Sequence, residues 1–200
     1  TDNDYNLKKA YEVLQEEKDE AKALDLVTKQ LRETPDNVDA LLLRVRLLRR
    51  KKEFGQALQD INHALKVNKP KKTEMQNSTL HWWKAYIYQN MGDKVNAAAS
   101  FKTAYELAQK DDKENLQSIS FDYAQALYDL EDYAGADAIY RKMLALDEAD
   151  QAAMIGIARN MIEREQYSEA IEMLDKCQKY DTDYSEIYRF KMQVYDKLGE

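Results

Sequence analysis

The sequence is poor in the residues that form turns. Its 200 residues include five glycines and two prolines, together about 3.5%, where an average globular chain carries roughly 12%. A sandwich or barrel of many short strands is excluded, because each of its turns draws on these residues. Alanine and leucine occur 23 and 21 times, whereas valine and threonine occur seven times each. The composition therefore predicts an all-α fold.

Positive charge, cysteine and long apolar runs are also scarce. The net charge of −7 argues against nucleic acid as the main partner, because phosphate neutralisation needs a basic face. A single cysteine, Cys177, cannot form an internal disulfide, and we predict that it is buried. The longest apolar run is Ala152–Ala158, whereas a membrane span needs about 20 residues. We expect no membrane insertion, and a soluble protein that is cytoplasmic rather than periplasmic.

The side chains of catalytic and metal sites are missing in the same way. His63 and His81 stand alone, and a zinc site needs several His or Cys ligands at close spacing. The chain has no glycine-rich loop to hold a phosphate, and no nucleophile with an accompanying base. We therefore predict no metal, no cofactor and no enzymatic activity.

What the sequence does contain is a recurring pair of a small and a large residue. An alanine is followed four residues later by a large apolar residue at five places: Ala23/Val27, Ala57/Ile61, Ala97/Phe101, Ala136/Tyr140 and Ala170/Leu174. Successive alanines lie 34, 40, 39 and 34 residues apart. Before each pair, apolar residues recur every three or four positions, which indicates an amphipathic helix. Five helical hairpins are predicted, and they must stack, because one hairpin cannot bury its own apolar stripe.

This pattern resembles the tetratricopeptide repeat family, whose 34-residue helix–turn–helix unit carries A-x3-F in its second helix. The resemblance implies a right-handed α-solenoid of antiparallel helix pairs, a TPR-like superhelix. We expect one array over residues 1–200, within a longer protein, with repeats at about 4–37, 38–71, 78–111, 117–150 and 151–184 and an extra helix at about 185–198. Extra residues near Lys69–Asn77 and Asp111–Gln117 depart from the pattern, and we expect them to lengthen helices or loops.

The resemblance also implies a concave, peptide-binding groove lined by the first helix of each repeat. Projected onto this chain, the candidate groove residues are Arg46, Arg49, Trp82, Trp83, Tyr86, Asn90, Phe121, Gln125, Tyr128 and Arg159, and the same projection places Leu42 and Ile155 on this face. Two alternatives stay open. Glu12 and Glu16 could neutralise the basic run Arg44–Lys52, and the aromatic residues could pack between repeats.

Some family members hold the C-terminal carboxylate of chaperones with five residues, of which only Lys8 is matched here, so this activity is not expected. We predict a non-catalytic protein-interaction scaffold that binds a peptide with acidic residues beside apolar anchors. Two other functions remain. The first is a spacer or self-association module that uses the C-terminal helix, in which Tyr188, Met192 and Tyr195 form the apolar stripe. The second is an accessory domain of an enzyme whose catalytic part lies outside this chain.

Overall fold

A computed structural model describes residues 3–70, 75–180 and 185–199 of the chain. Over these ranges the chain forms eleven helices and no strand, which confirms the all-α prediction. The helices are α1 (Tyr5–Glu16), α2 (Glu20–Glu33), α3 (Val38–Arg50), α4 (Phe54–Val67), α5 (Asn77–Asn90), α6 (Lys94–Asp111), α7 (Leu116–Asp129), α8 (Tyr133–Leu146), α9 (Gln151–Glu163), α10 (Tyr167–Gln178) and α11 (Ser185–Leu198). None of them has the length and hydropathy that a bilayer-crossing helix needs.

Short polar residues fix where several helices begin. Side-chain oxygens at five N-cap positions accept a hydrogen bond from the backbone N–H three residues later, at Asp19, Asn37, Asp93, Asp132 and Asp150. Each such cap satisfies one of the N–H groups that a helix start leaves without a partner, and contributes about 1 kcal/mol.

The turn between the two helices of each pair contains one residue with a left-handed backbone. These residues are Lys18, Lys52, Gly92, Glu131 and Glu165, with φ between 54° and 79°. Their spacings equal those of the five alanines, so the backbone repeats with the same period as the sequence. Gly199 has φ 74° and lies 34 residues after Glu165, which places α11 in the position of a first helix. Helix α6 spans 18 residues where the others span 12 to 14, so part of the extra length is helical, as expected.

Each helix pair is held together at its alanine. The five alanines of the repeat and the large residue four positions after each of them are all at most 2% exposed. A methyl group lets two helix backbones approach closely, and the large side chain fills the space that remains beside it. From their place in the repeat, Ala57, Ala97, Ala136 and Ala170 are predicted to be buried at helix crossings, and the structure confirms this.

The contacts divide the chain into two compact units, Thr1–Asp112 and Lys113–Glu200. Within the first unit, each helix packs on the next one, and the first helices α3 and α5 also contact each other. Within the second unit, the first helices α7, α9 and α11 contact one another in order, α7 with α9 and α9 with α11. Each unit therefore sets the faces of its first helices side by side.

Two predictions about individual faces are wrong. Leu42, which was expected on the open face, is buried, because adjacent first helices pack on each other there. Ile155 is also largely buried, but it lines the cavity between the first helices of the second unit. The spacing of Leu7, Ala10, Tyr11 and Leu14 in the sequence predicts that Tyr11 belongs to the packing stripe of α1, but it is 43% exposed. On α11 the predicted stripe Tyr188, Met192 and Tyr195 is exposed, as expected for a stripe that lacks part of its cover, and the buried residues of the helix are Ile187, Phe190 and Val194.

Candidate functional site

The predicted groove residues of the first unit come together where α3 lies beside α5. We call this region, formed by Arg46, Arg49, Trp82, Trp83, Tyr86 and Asn90, the arginine–tryptophan surface. The guanidinium carbons of Arg46 and Arg49 lie 5.5 and 5.3 Å from the centroid of the Trp83 ring. At these distances the ring face attracts both cations. Arg46 is exposed and Arg49 is half-buried.

Arg49 is held by several contacts at once. Its Nη1 donates a hydrogen bond of 2.9 Å to Oδ1 of Asn90, and its guanidinium carbon lies 5.7 Å from the Tyr86 ring centroid. Burial, followed by the charge of Arg50, lowers the pKa of Arg49, although a guanidinium remains charged at neutral pH. Its Nε is buried and has no hydrogen-bond partner among the described residues. Arg49 is thus a cation held in one orientation, and not all of its N–H groups donate a hydrogen bond within the described part of the chain.

The aromatic residues of this surface also serve as packing. The Tyr86 ring contacts Trp82 in a tilted arrangement and Trp83 and the buried Phe101 edge to face, with ring centroids 5.5 to 5.8 Å apart. Trp83 also packs on the buried core of the first unit. Both tryptophans and Tyr86 stay half-buried, so each has one side in the packing and another toward solvent. These ring contacts of Tyr86 lie within one repeat, whereas Trp83 also contacts Arg46 and Arg49 of the preceding repeat, so the alternative of packing between repeats is supported for Trp83.

The rest of the basic run has structural partners. Arg44 forms a bidentate ion pair with the buried Asp60, with N–O distances of 2.6 and 2.7 Å, and Arg50 pairs with Glu20 on α2. The predicted partner Glu12 pairs instead with Lys9. The arginines of the basic run thus lie on different faces of α3. Arg44 and Arg50 pair with carboxylates, whereas Arg46 and Arg49 reach the aromatic rings of α5.

The predicted residues of the second unit line a cavity of about 390 Å³, which we call the α7–α9–α11 cavity. Its wall consists of Phe121, Gln125, Tyr128, Ala152, Ile155, Gly156, Arg159, Glu163, Glu186, Arg189, Phe190 and Gln193. Four of the ten predicted groove residues are among these. The residues of α11 were not predicted, although Gln193 lies one 34-residue period after Arg159 and could have been found from that spacing.

Arg159 is the central side chain of this cavity. Its Nη2 donates a 2.6 Å hydrogen bond to Oε1 of Gln125, and its guanidinium carbon lies 3.7 Å from the Tyr128 ring centroid. The hydroxyl of Tyr128 donates in turn to Oε1 of Glu163 at 2.8 Å. Burial and this hydrogen bond raise the pKa of Tyr128 to about 12, so the hydroxyl remains a donor at neutral pH. The Nε of Arg159 is buried without a hydrogen-bond partner in the described part of the chain.

The charges that line the cavity are balanced. Arg159 and Arg189 are matched by Glu163 and Glu186, and Arg189 pairs with Glu186 at 2.8 Å. Among the described residues, no group of three His, Cys, Asp or Glu side chains could hold a metal ion. The wall therefore offers ring faces, amides and an oriented guanidinium, which suit hydrogen bonding and apolar contact.

Comparison with known proteins identifies the repeat. Two family models described as tetratricopeptide repeat match residues 78–111 and 127–194, together just over half of the chain. No curated protein matches significantly. A tetratricopeptide repeat protein from Parabacteroides merdae ATCC 43184 is similar over 98% of this chain and 73% of its own, with 19% identity and a TM-score of 0.80.

Two further solved structures are described with peptides. YrrB, described as a TPR protein with an unusual peptide-binding site, is 18% identical over 94% of this chain and 90% of its own, with a TM-score of 0.73. The first TPR of Spaghetti (RPAP3), bound to the HSP90 peptide SRMEEVD, is 15% identical over 64% of this chain and all of its own, with a TM-score of 0.53. At these identities the likeness shows the fold alone.

Proposed function

The chain belongs to the tetratricopeptide repeat family, and from this premise we propose that it is a non-catalytic scaffold that binds a peptide segment of another protein. The observation that carries the proposal is the half-buried Arg159 in the wall of the α7–α9–α11 cavity, fixed between Gln125 and Tyr128. An arginine that is already oriented loses little freedom when it binds a further acceptor.

The two regions differ in what they offer to a peptide. In the described part of the chain no carboxylate pairs with Arg46 or Arg49, and the arginine–tryptophan surface that carries them suits acidic residues, because arginine can bind carboxylates in bidentate fashion. The charge-balanced α7–α9–α11 cavity, with Phe121, Tyr128 and Phe190 in its wall, suits an apolar or aromatic anchor. Such anchors supply much of the energy at interfaces. We propose that the ligand is a peptide with acidic residues and apolar anchors.

The neighbours give this proposal further support. One structural neighbour, the first TPR of Spaghetti, is bound to a peptide that contains two glutamates beside a methionine and a valine. This chain does not match the chaperone-tail pattern at Glu12, Leu43, Thr79 and Trp83, so a different acidic peptide is expected. The cavity groups also favour binding over chemistry, because Glu163 is already an acceptor for Tyr128 and the Tyr128 hydroxyl stays protonated.

Selection from a displayed library of random 12-residue peptides tests the proposal. We expect the selected peptides to be enriched in Asp and Glu beside Phe, Tyr, Leu or Met. Arg49→Glu should weaken the binding of a selected peptide that binds the first unit, and Arg159→Glu that of a selected peptide that binds the second unit, each by roughly 1–3 kcal/mol, the scale of a hydrogen bond to a charged group. Arg141→Glu, the same charge change at an exposed position of α8, is the matched control.

Thermal melting of each variant separates lost binding from lost folding. An affinity that all three substitutions reduce equally would indicate a general charge effect and contradict the proposed site. Selected peptides without acidic residues would leave the scaffold function standing and remove the acidic ligand.

A further inference from the structure

The first unit has a cavity on the side of α3 that faces away from the arginine–tryptophan surface. Its volume is about 380 Å³ and its wall comes from α2, α3 and α4; we call it the α2–α4 cavity. Arg44 lines this cavity, whereas Arg46, two residues later, belongs to the arginine–tryptophan surface. Two residues on a helix point about 200° apart, so the cavity and the surface are separate places on the molecule.

Arg44 is held in the wall of this cavity by Asp60. Its Nε and Nη2 donate to the two carboxylate oxygens at 2.6 and 2.7 Å, and Nε2 of Gln56 donates to Oδ1 of Asp60 at 3.1 Å. The side chain of Asp60 is 5% exposed and that of Arg44 is 19% exposed. A guanidinium has five N–H groups, and the remaining ones of Arg44 have no acceptor in the described part of the chain. The pair therefore offers donors to the cavity, while its carboxylate already accepts three hydrogen bonds.

The repeat does not require an ion pair at this place. Arg44 and Asp60 lie at fixed distances before and after Ala57, and the residues at the same distances from the other four alanines carry no pair of opposite charges. They are Ala10 and Leu26, Lys84 and Ser100, Tyr123 and Ile139, and Ile157 and Met173. Replacing a buried ion pair by apolar residues of similar volume often leaves a protein as stable or more stable. Packing alone therefore does not account for Arg44 and Asp60.

The charges of the wall leave an excess of one cation. Arg32, in the last turn of α2, is exposed, and no carboxylate pairs with it among the described residues. Arg44 is neutralised by Asp60, the one carboxylate in the described wall. His63 completes the wall on α4, and its Nε2 lies 2.7 Å from Oδ1 of the exposed Asp36. In a chain of net charge −7, an unpaired cation beside spare N–H groups favours this cavity as a place for one negative charge.

We propose that the α2–α4 cavity binds the carboxylate of an acidic side chain from a partner protein, with Arg32 and the remaining N–H groups of Arg44 as its donors. Charge-assisted hydrogen bonds of this kind are among the strongest in proteins. A carboxylate matches the single excess charge, whereas a phosphate brings nearly two. Because Arg32, Pro35 and Gln59 of the wall are exposed, a side chain can enter while its backbone stays outside. The site does not depend on the proposed groove, and it would let the chain hold a second acidic segment on the other side of α3.

NMR of the protein with labelled histidine rings tests this proposal, because the chain has two histidines. His63 lines the cavity, whereas His81 lies on α5, the helix that carries the tryptophans of the other surface. The two rings thus report binding at the two places separately. The probe is capped triglutamate, added at constant pH and ionic strength. We expect the His63 signals to shift and to saturate.

Variants of exposed residues test which groups hold the peptide. Arg32→Glu should weaken the binding seen at His63 by at least about tenfold, the scale of a lost hydrogen bond to a charged group. Gln59→Lys should strengthen it by about threefold and Gln59→Glu should weaken it by about as much, the scale of an exposed ion pair. A folding defect cannot produce the gain. Arg141→Glu, the matched charge change on α8, and Arg49→Glu, which tests the groove, should leave the His63 titration unchanged.

Three results would overturn the proposal. The first is a His63 signal that does not move at millimolar peptide. The second is an equal loss of affinity in Arg32→Glu and Arg141→Glu, because the peptide would then respond only to net charge. The third is a tighter binding of inorganic phosphate or of free glutarate than of triglutamate at His63, which would make a phosphate or a small dicarboxylate the ligand.

Discussion

Arg49 of the first unit and Arg159 of the second have nearly the same surroundings. Each extends from a first helix, places its guanidinium over an aromatic ring, and donates from Nη to an amide oxygen of the neighbouring first helix. Each also has a buried Nε without a hydrogen-bond partner in the described part of the chain. The difference lies in the charges around them. Arg49 has Arg46 beside it. Arg159 instead lies over the ring of Tyr128, whose hydroxyl donates a hydrogen bond to Glu163.

The same local arrangement can therefore serve two kinds of recognition. Two neighbouring cations raise the local potential and attract carboxylates in an otherwise acidic chain. A cation balanced by carboxylates instead acts as a fixed hydrogen-bond donor, and the surrounding rings determine what fits. The two arginines stand at different positions of the repeat, because Arg49 lies one helical turn before Lys52 and Arg159 nearly two turns before Glu165. Their similar contacts therefore come from the neighbouring rings and amides, and their different preferences for a ligand come from the neighbouring charges.

The largest expected effect concerns how each unit fills its helix crossings. In the second unit Tyr140 is fully buried against Gly156. At the corresponding crossing of the first unit, the residues are Val27 and Leu43, so the large and small partners are exchanged. Gly156→Leu should destabilise the protein by about 3 kcal/mol, near the upper end for overpacking. Adding Tyr140→Val should restore part of the loss in thermal or urea unfolding. If the double variant is no more stable than Gly156→Leu alone, the large and small side chains at this crossing cannot be exchanged, and the prediction is wrong.

A smaller cost is expected where the two units are alike. Ala57 and Ala136 are both completely buried between paired helices, so leucine at either position should overpack the crossing by roughly 1–3 kcal/mol. Parallel urea denaturation of Ala57→Leu and Ala136→Leu measures both. Unchanged midpoints would show that the repeat register assigned to these alanines is wrong.

The helix crossings also show how much of the fold could be predicted from the sequence. The spacing of alanines predicted five helix pairs and their crossings, because a repeat of small and large residues reports on local packing. The resemblance to the tetratricopeptide repeat family, and not the spacing itself, implied that Arg46, Arg49 and Trp83 share one face. It did not predict the burial of Leu42, which depends on how closely α3 and α5 approach. The contribution of α11 to the cavity was missed for the same reason, since contacts between repeats depend on the stacking of helices distant in sequence.

Alkaline pH should affect the second unit through its tyrosines. Burial raises the pKa of Tyr140 to about 12, and burial with the Glu163 hydrogen bond does the same for Tyr128. Both phenols have a pKa near 10 when unfolded, so the unfolded state loses their protons first. Their contribution to stability is complete below pH 10 and declines as the pH rises through 12. The Tyr128→Phe variant should lose less stability between pH 9 and 11.5 than the unchanged protein. Equal slopes in urea titrations at these pH values would contradict the assignment.

The smallest expected effects come from the turns within the five helix pairs. The left-handed residue of the turn is glycine in one pair and lysine or glutamate in the other four. Gly92 adopts the left-handed conformation without a Cβ, whereas Lys52 and Glu131 adopt it with one, at a cost of about 1 kcal/mol. Glu131→Gly should therefore stabilise the protein by about 0.5 kcal/mol, because the greater freedom of glycine in the unfolded chain offsets part of the gain.

Gly92→Ala should destabilise the protein by about 1 kcal/mol. Gly55→Ala, in a helix with open space around it, should instead stabilise by about 0.5–1 kcal/mol. Urea midpoints that shift in the same direction for Gly92→Ala and Gly55→Ala would mean that helix propensity, not turn conformation, determines the cost.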